Sequence, residues 1–394
     1  VAKLGIGELD LAGKRVFLRA DLNVPLDGGA VTDTTRLVAV IPTIRHALGA
    51  GASVVLASHL GRPKGKPTPA FSLKPVAEQL GTLLDRPVPL APDCVGPDVE
   101  AMARALRPGE VLLLENLRFH GEEEKNDETF ARGLAALADV YVDDAFAASH
   151  RAHASIEAIT RFLRPAAAGL LMQKELEALG RVLEAPAKPL LAILGGAKVS
   201  DKVALVEHLL DRVDGLLIGG GMAFTFLKAM GHDVGRSLVE PDRIETARRV
   251  LETSRRRGVQ IVLPVDAVVA ASLDSASGRV VAIREIPAGE MGLDIGPRTV
   301  ERFGAALRDA GTIVWNGPMG VFERAPFAEG TVAVARAVAE SRAFSVVGGG
   351  DTVAAINQAR VADRIGYIST AGGAFLEFLE GRKLPGVEAL TDRP

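Results

Sequence analysis

The chain is short of the residues that staple a protein or send it to an oxidising compartment. Cys94 is the single cysteine in 394 residues, which on this reading excludes both an intrachain disulfide and a cysteine-built metal site. That usage fits a reducing compartment. Charge of one sign is also missing. Lys and Arg total 46 against 49 Asp and Glu, a net charge of -3, so no global basic field exists for nucleic acid. Arg255, Arg256 and Arg257 form the longest basic run and read as a solvated helix end. No uncharged stretch is long and apolar enough to span a bilayer. Lys3, Glu8 and Asp10 interrupt any apolar run that would read as a signal peptide. The expected location is cytoplasmic, with neither nucleic acid nor membrane as partner. The standard nucleotide patterns are absent too: there is no G-x-x-x-x-G-K-[ST] and no G-x-G-x-x-G after a strand. Ile218 is followed by three glycines instead of a ribose-holding acid, which counts against a nicotinamide dinucleotide.

What is present is an ordinary globular balance, 48% hydrophobic and 24% charged. The length suggests two or three domains. Short aliphatic runs at 15–18, 53–57, 111–114 and 140–142, then at 190–194, 216–218, 260–263, 312–315, 344–347 and 367–368, alternate with loops and helical patterns. Such alternation predicts parallel sheets with helices on both faces. In these folds ligands bind beyond the C-terminal ends of the strands. Pro165 is suited to opening a helix. Leu171, Leu176, Leu179 and Leu183 give an apolar stripe, and Pro186 and Pro189 close the segment. This segment reads as a connector helix between two sheets, or as a surface helix inside one large domain.

The two halves differ in the residues placed just after their strands. In the first half the strand ends carry charge and amide groups: Arg19, Asp21 and Asn23 in RADLNVPL; His59 and Arg62 in SHLGRP; Glu115, Asn116 and Arg118 in ENLRFH; and Asp143, Asp144, His150, Arg151 and His153 in DDAFAASHRAHAS. Arg36 opens a helical pattern after Thr34 and Thr35. The arginine fork matches phosphate and carboxylate oxygens, so a converging set suits a small polyanion. Singly, each arginine is as well explained by a nearby acid such as Asp21 or Asp144. His150 and His153 have no third ligand in view for a metal.

In the second half the strand ends are glycine-rich: LGGAKVSDK, IGGGMAFTF, WNGPMGVFE and VVGGGDTVAA. Glycine lets backbone approach a ligand, and a following helix N-terminus offers N–H groups to phosphate. Lys198 and Lys202 are four apart and are expected on one face near a helix start, where cations are unfavourable unless an anion joins them. A pair of surface lysines balanced by Asp201 and Glu207 is the plainer alternative. Asp351 is an N-cap candidate and, beside a nucleotide loop, a candidate for holding Mg2+.

Taken in order, RADLNVPL, SHLGRP, ENLRFH, HRAHAS, GGAKVSDK, IGGGMAFTFLK, MGLDIGP, VWNGPMGVFE, GGGDT and STAGGAFLEFLEG run along nearly the whole chain and closely resemble the phosphoglycerate kinase family. The chain departs at Ala147 and Ala148, near which the family usually has glycine and threonine. The resemblance implies reversible transfer between 1,3-bisphosphoglycerate with ADP and 3-phosphoglycerate with ATP, as in glycolysis. It implies an α/β fold of two Rossmann-like parallel-sheet domains joined by a connector helix and hinge. The expected division is a substrate domain over 1–168, a nucleotide domain over 169–380 with the connector at about 169–185, and a tail over 381–394 returning to the first domain. Carried over by position, Asp21, Asn23, Arg36, His59, Arg62, Arg118 and Arg151 match the substrate set. Lys198, Lys202, Gly349, Gly350, Asp351 and Thr352 match phosphate and metal positions, with Asp351 toward Mg2+. Glu323 matches a ribose-binding glutamate, Gly219, Gly220 and Gly292 the adenine slot, and Asn316 a position near the nucleotide phosphates. The family implies a monomer.

That chemistry needs no general base, because the acceptor is already an anion at neutral pH. The remaining task is positioning and charge neutralisation on the transferring group, expected of Arg36 and Lys198. Ligand sets on separate domains also imply hinge closure through 165–186. A closing anion-binding protein and a nicotinamide-dependent dehydrogenase are the rival classes. ATP consumption dependent on 3-phosphoglycerate separates them.

Overall fold

The computed structural model describes residues 2–394. The described chain forms two compact units, residues 2–177 with 383–394, and residues 178–382. In the first unit, strand β1 is Arg15–Arg19, and a small antiparallel ribbon of β2 (Leu26–Asp27) and β3 (Ala30–Val31) comes next. The sheet continues with β4 (Ser53–Ala57), β5 (Val111–Leu113), β6 (Val140–Asp143) and β7 (Ala166–Ala168). These five strands are parallel in the order β5-β4-β1-β6-β7. Near-continuous burial along β1, β4 and β6 is what a parallel sheet covered on both faces requires. The register sets Arg19 opposite both Ala57 and Asp143. The charged loops of the first half therefore leave the sheet at one edge.

The second unit holds β8 (Leu190–Leu194), β9 (Gly215–Ile218), β10 (Gln260–Val262), β11 (Asp266–Ala270), β12 (Arg279–Ala282), β13 (Met291–Ile295), β14 (Thr312–Asn316), β15 (Phe344–Gly348) and β16 (Tyr367–Ser369). Six of them make a parallel sheet in the order β10-β9-β8-β14-β15-β16. The other three form an antiparallel sheet, β12-β11-β13, that the alternation of runs does not announce. It carries Gly292 and Asp294 on β13.

The connector helix spans Leu170–Leu183. Pro165 does not open it. Residues 166–168 are a fully buried strand instead, three alanines whose weak strand preference is overridden by packing beside β6. The helix starts where Asp144 Oδ1 accepts from Leu171 N at 2.9 Å and Met172 N at 3.0 Å. A carboxylate there satisfies free N–H groups and suits the helix dipole. Met172, Leu179 and Val182 are fully buried along it, so Leu179 is the one leucine of the expected stripe that is fully buried, while Leu171, Leu176 and Leu183 are half-buried. The final residues belong to the first unit: Thr391 N donates to Ala166 O, Leu4 N to Thr391 O, and Arg393 pairs with Glu8 at 2.7 Å.

Candidate active site

The anion-binding candidates of the first unit gather at the strand ends. Arg36, in the first turn of the helix Thr35–Gly49, donates to both oxygens of Asp21 at 3.0 and 2.9 Å. Asn23 N is held by Asp21 Oδ1 at 3.1 Å, and Asn23 Oδ1 accepts from Gly61 N at 2.9 Å. That bond ties the loop after β1 to the loop after β4. Arg118 is buried, donates to Gly61 O at 3.2 Å, and lies 4.0 Å from Glu124. Its Nε has no hydrogen-bond partner. Arg151 is exposed, its Nε donating to His150 Nε2 at 3.3 Å, and Arg62 is exposed on the loop of His59. Asp144 is no arginine partner; besides the connector helix it accepts from Thr43 Oγ1 at 2.6 Å.

Electrostatics decide the state of the two histidines here. Burial, then the positive charges of Arg19, Arg118 and Arg36 and the nearby ring of His153, hold His59 well below its ordinary value. Burial and Arg118, Arg19 and Arg151 push His153 down to about 3. At neutral pH the set is therefore arginine cations with two uncharged imidazoles. Arg118 is itself shifted down, first by burial. Crowded, poorly neutralised guanidinium groups of this kind are relieved by an anion.

Arg19 completes the set, although its place at the end of a strand gives no hint of burial. It is wholly buried, and its guanidinium reaches Ser155 Oγ at 2.9 Å, Ala20 O and His59 Nδ1 at 3.1 Å. Ser155 in turn is held by Glu123, Oγ to Oε2 at 2.6 Å and N to Oε1 at 2.7 Å. Ser155 closes the HRAHAS motif without being marked as a partner of Arg19, and Glu123 lies outside the quoted motifs.

In the second unit the glycine loops pack on one another. Gly195 N donates to Asn316 O, Gly196 N to Pro318 O, and Gly220 N to Met319 O, each at 3.0 Å. A Cβ on Gly195 would fall 2.1 Å from Pro318 O, and one on Gly220 2.6 Å from Gly196 O. Gly220 also has φ +69, the left-handed region. Loop-to-loop contact therefore accounts for part of the glycine content. Gly219 is such a case, buried against Met319 with its Cβ position 2.5 Å from Sδ. Gly350 is the opposite: it is exposed and nothing lies within 4 Å of its Cβ position.

Beside these loops is a mainly apolar cavity of about 510 Å3, walled by Gly220, Phe224, Leu238, Gly292, Glu323 and Asp351 among others. Gly292 is forced by the Phe224 ring, 2.1 Å from where its Cβ would be. The lysines depart from expectation. The helix after β8 is Val203–Leu209, so Lys198 and Lys202 lie in the turn before it and share no helical face. Lys198 is exposed. Lys202 donates to Asn316 Oδ1, and burial shifts its pKa down. Asn316 Nδ2 donates to Gly348 O at 2.8 Å, and Thr352 Oγ1 accepts from Gly317 N at 2.8 Å. These bonds knit the ends of β8, β14 and β15 together. Thr352 is buried, while Asp351 is exposed in the first turn of Gly350–Ala359, after Gly349.

Asp294 lies unmarked within MGLDIGP. Its Oδ2 accepts from Gly330 N at 2.7 Å, and Cβ atoms on Gly320 or Gly330 would meet Oδ1 at 2.4 or 2.3 Å. Burial raises its pKa to about 7. Among the described residues the one metal-type cluster of three or more is Asp93, Cys94 and His120, within 4.8 Å of one another. The single cysteine thus has ligand-type neighbours, contrary to the reading from its count. There His120 Nε2 meets Asp93 Oδ1 at 2.7 Å and Cys94 is a buried thiol. No helix among the described residues is long and apolar enough to cross a membrane.

Comparison with known proteins points to one family over nearly the whole chain. The family model described as phosphoglycerate kinase matches residues 6–382. A phosphoglycerate kinase of Desulfosudis oleivorans is 58% identical, covering 97% of both chains. One of Moorella thermoacetica is 57% identical over the whole of both. The solved phosphoglycerate kinase of Coxiella burnetii superposes with a TM-score of 0.93 at 45% identity, covering 98% of each chain. That of Pyrococcus horikoshii gives 0.84 at 37% identity over 98% of each.

Proposed function

The chain belongs to the phosphoglycerate kinase family, and from that premise we propose how its two ligand sets divide the work. The reaction is reversible phosphoryl transfer between 1,3-bisphosphoglycerate with ADP and 3-phosphoglycerate with ATP. In our reading the first unit takes the phosphoglycerate on Asp21, Asn23, Arg36, His59, Arg62, Arg118 and Arg151. The observation that carries this is the convergence of Arg19, Arg36, Arg118 and Arg151 around two uncharged histidines. The second unit takes the nucleotide in the cavity beside Gly220 and Gly292, with Glu323 toward the ribose. Lys198, Lys202, Asn316 and the turn Gly349, Gly350, Asp351 and Thr352 face its phosphates.

Both acceptors, a carboxylate in one direction and a diphosphate in the other, are ionised at neutral pH. No proton has to be removed to make the nucleophile. Arg36 and Lys198 hold the transferring group and offset the charge that spreads over its oxygens. Asp21 holds the Arg36 guanidinium in one orientation before substrate arrives. Asp351, an exposed carboxylate on the cavity wall, is the hard oxygen donor that Mg2+ takes. The ion, bound with the nucleotide, neutralises phosphate charge. Attack requires the reacting oxygens within ~3–3.5 Å and water kept out, so the units close about 165–186. We expect a cytoplasmic monomer.

A coupled assay tests the activity: ATP consumption that depends on 3-phosphoglycerate and on Mg2+. Folded protein that consumes ATP without phosphoglycerate, or not at all, would overturn it. Closure is read as a fall in radius of gyration when both ligands, but not either alone, are present.

A further inference from the structure

We propose that Arg19 is a positioning residue for the transfer reaction, holding the His59 ring in its Nε2–H form so that His59 offers phosphoglycerate a neutral N–H donor. The proposal rests on the assignment of phosphoglycerate to the first unit.

Which atoms are able to give and take protons decides the ring form. A guanidinium carries only donors. Its contact with His59 Nδ1 at 3.1 Å therefore makes Nδ1 the acceptor, with its lone pair toward Arg19. In a neutral imidazole the proton then sits on Nε2. The polarity of the rest of the chain of contacts agrees. Ser155 Oγ has one proton, and Glu123 Oε2 at 2.6 Å accepts it. Ser155 Oγ is thus left to accept from Arg19 Nε at 2.9 Å. The backbone carbonyl of Ala20 accepts from the same guanidinium. Three acceptors on three sides, with no exposed surface, fix the plane of the fork and hence the direction from which it meets the ring.

Protonation of His59 would break this arrangement. Nδ1 would become a donor facing a donor, and a second cation would be buried against the first. Arg118 and Arg36 add positive charge around the ring, and His153, itself uncharged at neutral pH, is the other titratable neighbour. Among the described residues the contact with Arg19 is the only hydrogen bond of the His59 ring, which leaves Nε2–H for a ligand oxygen. His59 thus serves as a donor that does not titrate in the physiological range, and binding of the anion escapes the pH dependence that an imidazolium would impose.

The test is a two-bond proton–nitrogen correlation spectrum of the full chain labelled with 15N-histidine, the His59 signals being identified by their loss in His59→Asn. The expected result is a protonated Nε2 and a bare Nδ1 that do not titrate between pH 5.5 and 8.5 (bounds set at about one to two units around the ordinary histidine value). Arg19→Lys, which also only donates, keeps that pattern. Arg19→Gln, whose amide both donates and accepts, mixes the two ring forms. It raises KM for 3-phosphoglycerate about tenfold, the loss of one oriented hydrogen bond, with KM for ATP unchanged. A wild-type ring protonated on Nδ1, or titrating at an ordinary histidine value, overturns the proposal without any variant having to fold. A locked ring in the wild type, with KM for 3-phosphoglycerate unchanged in folded Arg19→Gln, overturns its role toward the substrate. Calorimetry of 3-phosphoglycerate with Arg151→Ala separately tests whether the substrate belongs to this unit at all.

Discussion

The two units offer different materials to the anions proposed for them. The first uses side chains: arginines and two uncharged imidazoles, several aimed by a bond such as Asp21 to Arg36 or Arg19 to His59. The second uses backbone: glycine loops so tightly packed that several have no room for a methyl group, with few fixed charges beside them. Side chains give a charge-matched site for a small, highly charged acid. Backbone and an apolar wall suit a larger ligand that is part phosphate and part ring. Mutations should therefore fail differently in the two units.

The largest effect is expected where the two materials serve the same event. Lys198→Ala and Arg36→Ala should each lower kcat by about 10^2–10^3, the cost of removing one oriented donor to developing charge, with small changes in ligand affinity. Steady-state kinetics paired with calorimetry checks this. A loss confined to affinity, with kcat intact, would make the residue a binding group only.

A glycine pair sharpens the contrast within the second unit. Gly220→Ala forces a methyl group to within 2.6–2.8 Å of backbone atoms at positive φ. It should destabilise by about 3 kcal/mol or more and weaken nucleotide binding with it. Gly350→Ala meets nothing within 4 Å and adds helix propensity at the start of Gly350–Ala359. Its melting temperature should hold or rise while nucleotide affinity falls. Equal thermal losses in the two variants would mean that the loops tolerate or reject methyl groups for reasons unrelated to this packing.

Arg151→Ala breaks the contrast from the other side. Arg151 is exposed and its guanidinium meets the neighbouring His150, so the fold should not notice its loss. Calorimetry should show 3-phosphoglycerate bound roughly 10–100-fold more weakly, as for a lost charge-assisted bond, and Mg-ADP bound as before. The reverse pattern would move Arg151 out of the substrate set.

Sequence reading reaches the strand ends because parallel β-α alternation is written in the periodicity of the runs, and because charge and glycine at those ends are visible residue by residue. It does not reach the partners that aim those residues. Glu123 and Ser155 lie far along the chain from the groups they hold, as Asp294 does from Gly330, and nothing in their local spacing marks them. Local spacing also misleads at Lys198 and Lys202, where an interval of four implies a helical face but the helix begins one residue later. Pro165 is a similar case: a residue suited to opening a helix precedes a strand of alanines that only tertiary packing explains. The glycines do follow the strands, but a turn, a ligand and a neighbouring loop all ask for the same residue, and at Gly195, Gly219 and Gly220 the neighbouring loop already accounts for it.

The last expected effect touches stability alone and concerns those hidden partners. Asp294 is buried with a pKa raised to about 7, first by burial, against an unfolded carboxyl near 4. The folded state then holds the proton more tightly than the unfolded one between those values. Stability from this group is complete below about pH 4 and is lost as pH rises through 7, with a slope approaching ~1.4 kcal/mol per pH unit. The first unit mixes signs. Asp143, raised to about 7, and Asp144, raised to about 6, lose stability as pH rises. His59 and His153, both lowered, lose it as pH falls below the ordinary histidine value. A whole-chain curve cannot separate these contributions, but the difference between wild type and Asp294→Asn can. The variant does not titrate, so the melting temperature of wild type minus variant should fall steadily from pH 4 to 8. A constant difference would show that Asp294 is ionised in the folded chain throughout, held by Gly330 N–H and Ile295 N–H strongly enough to offset its burial.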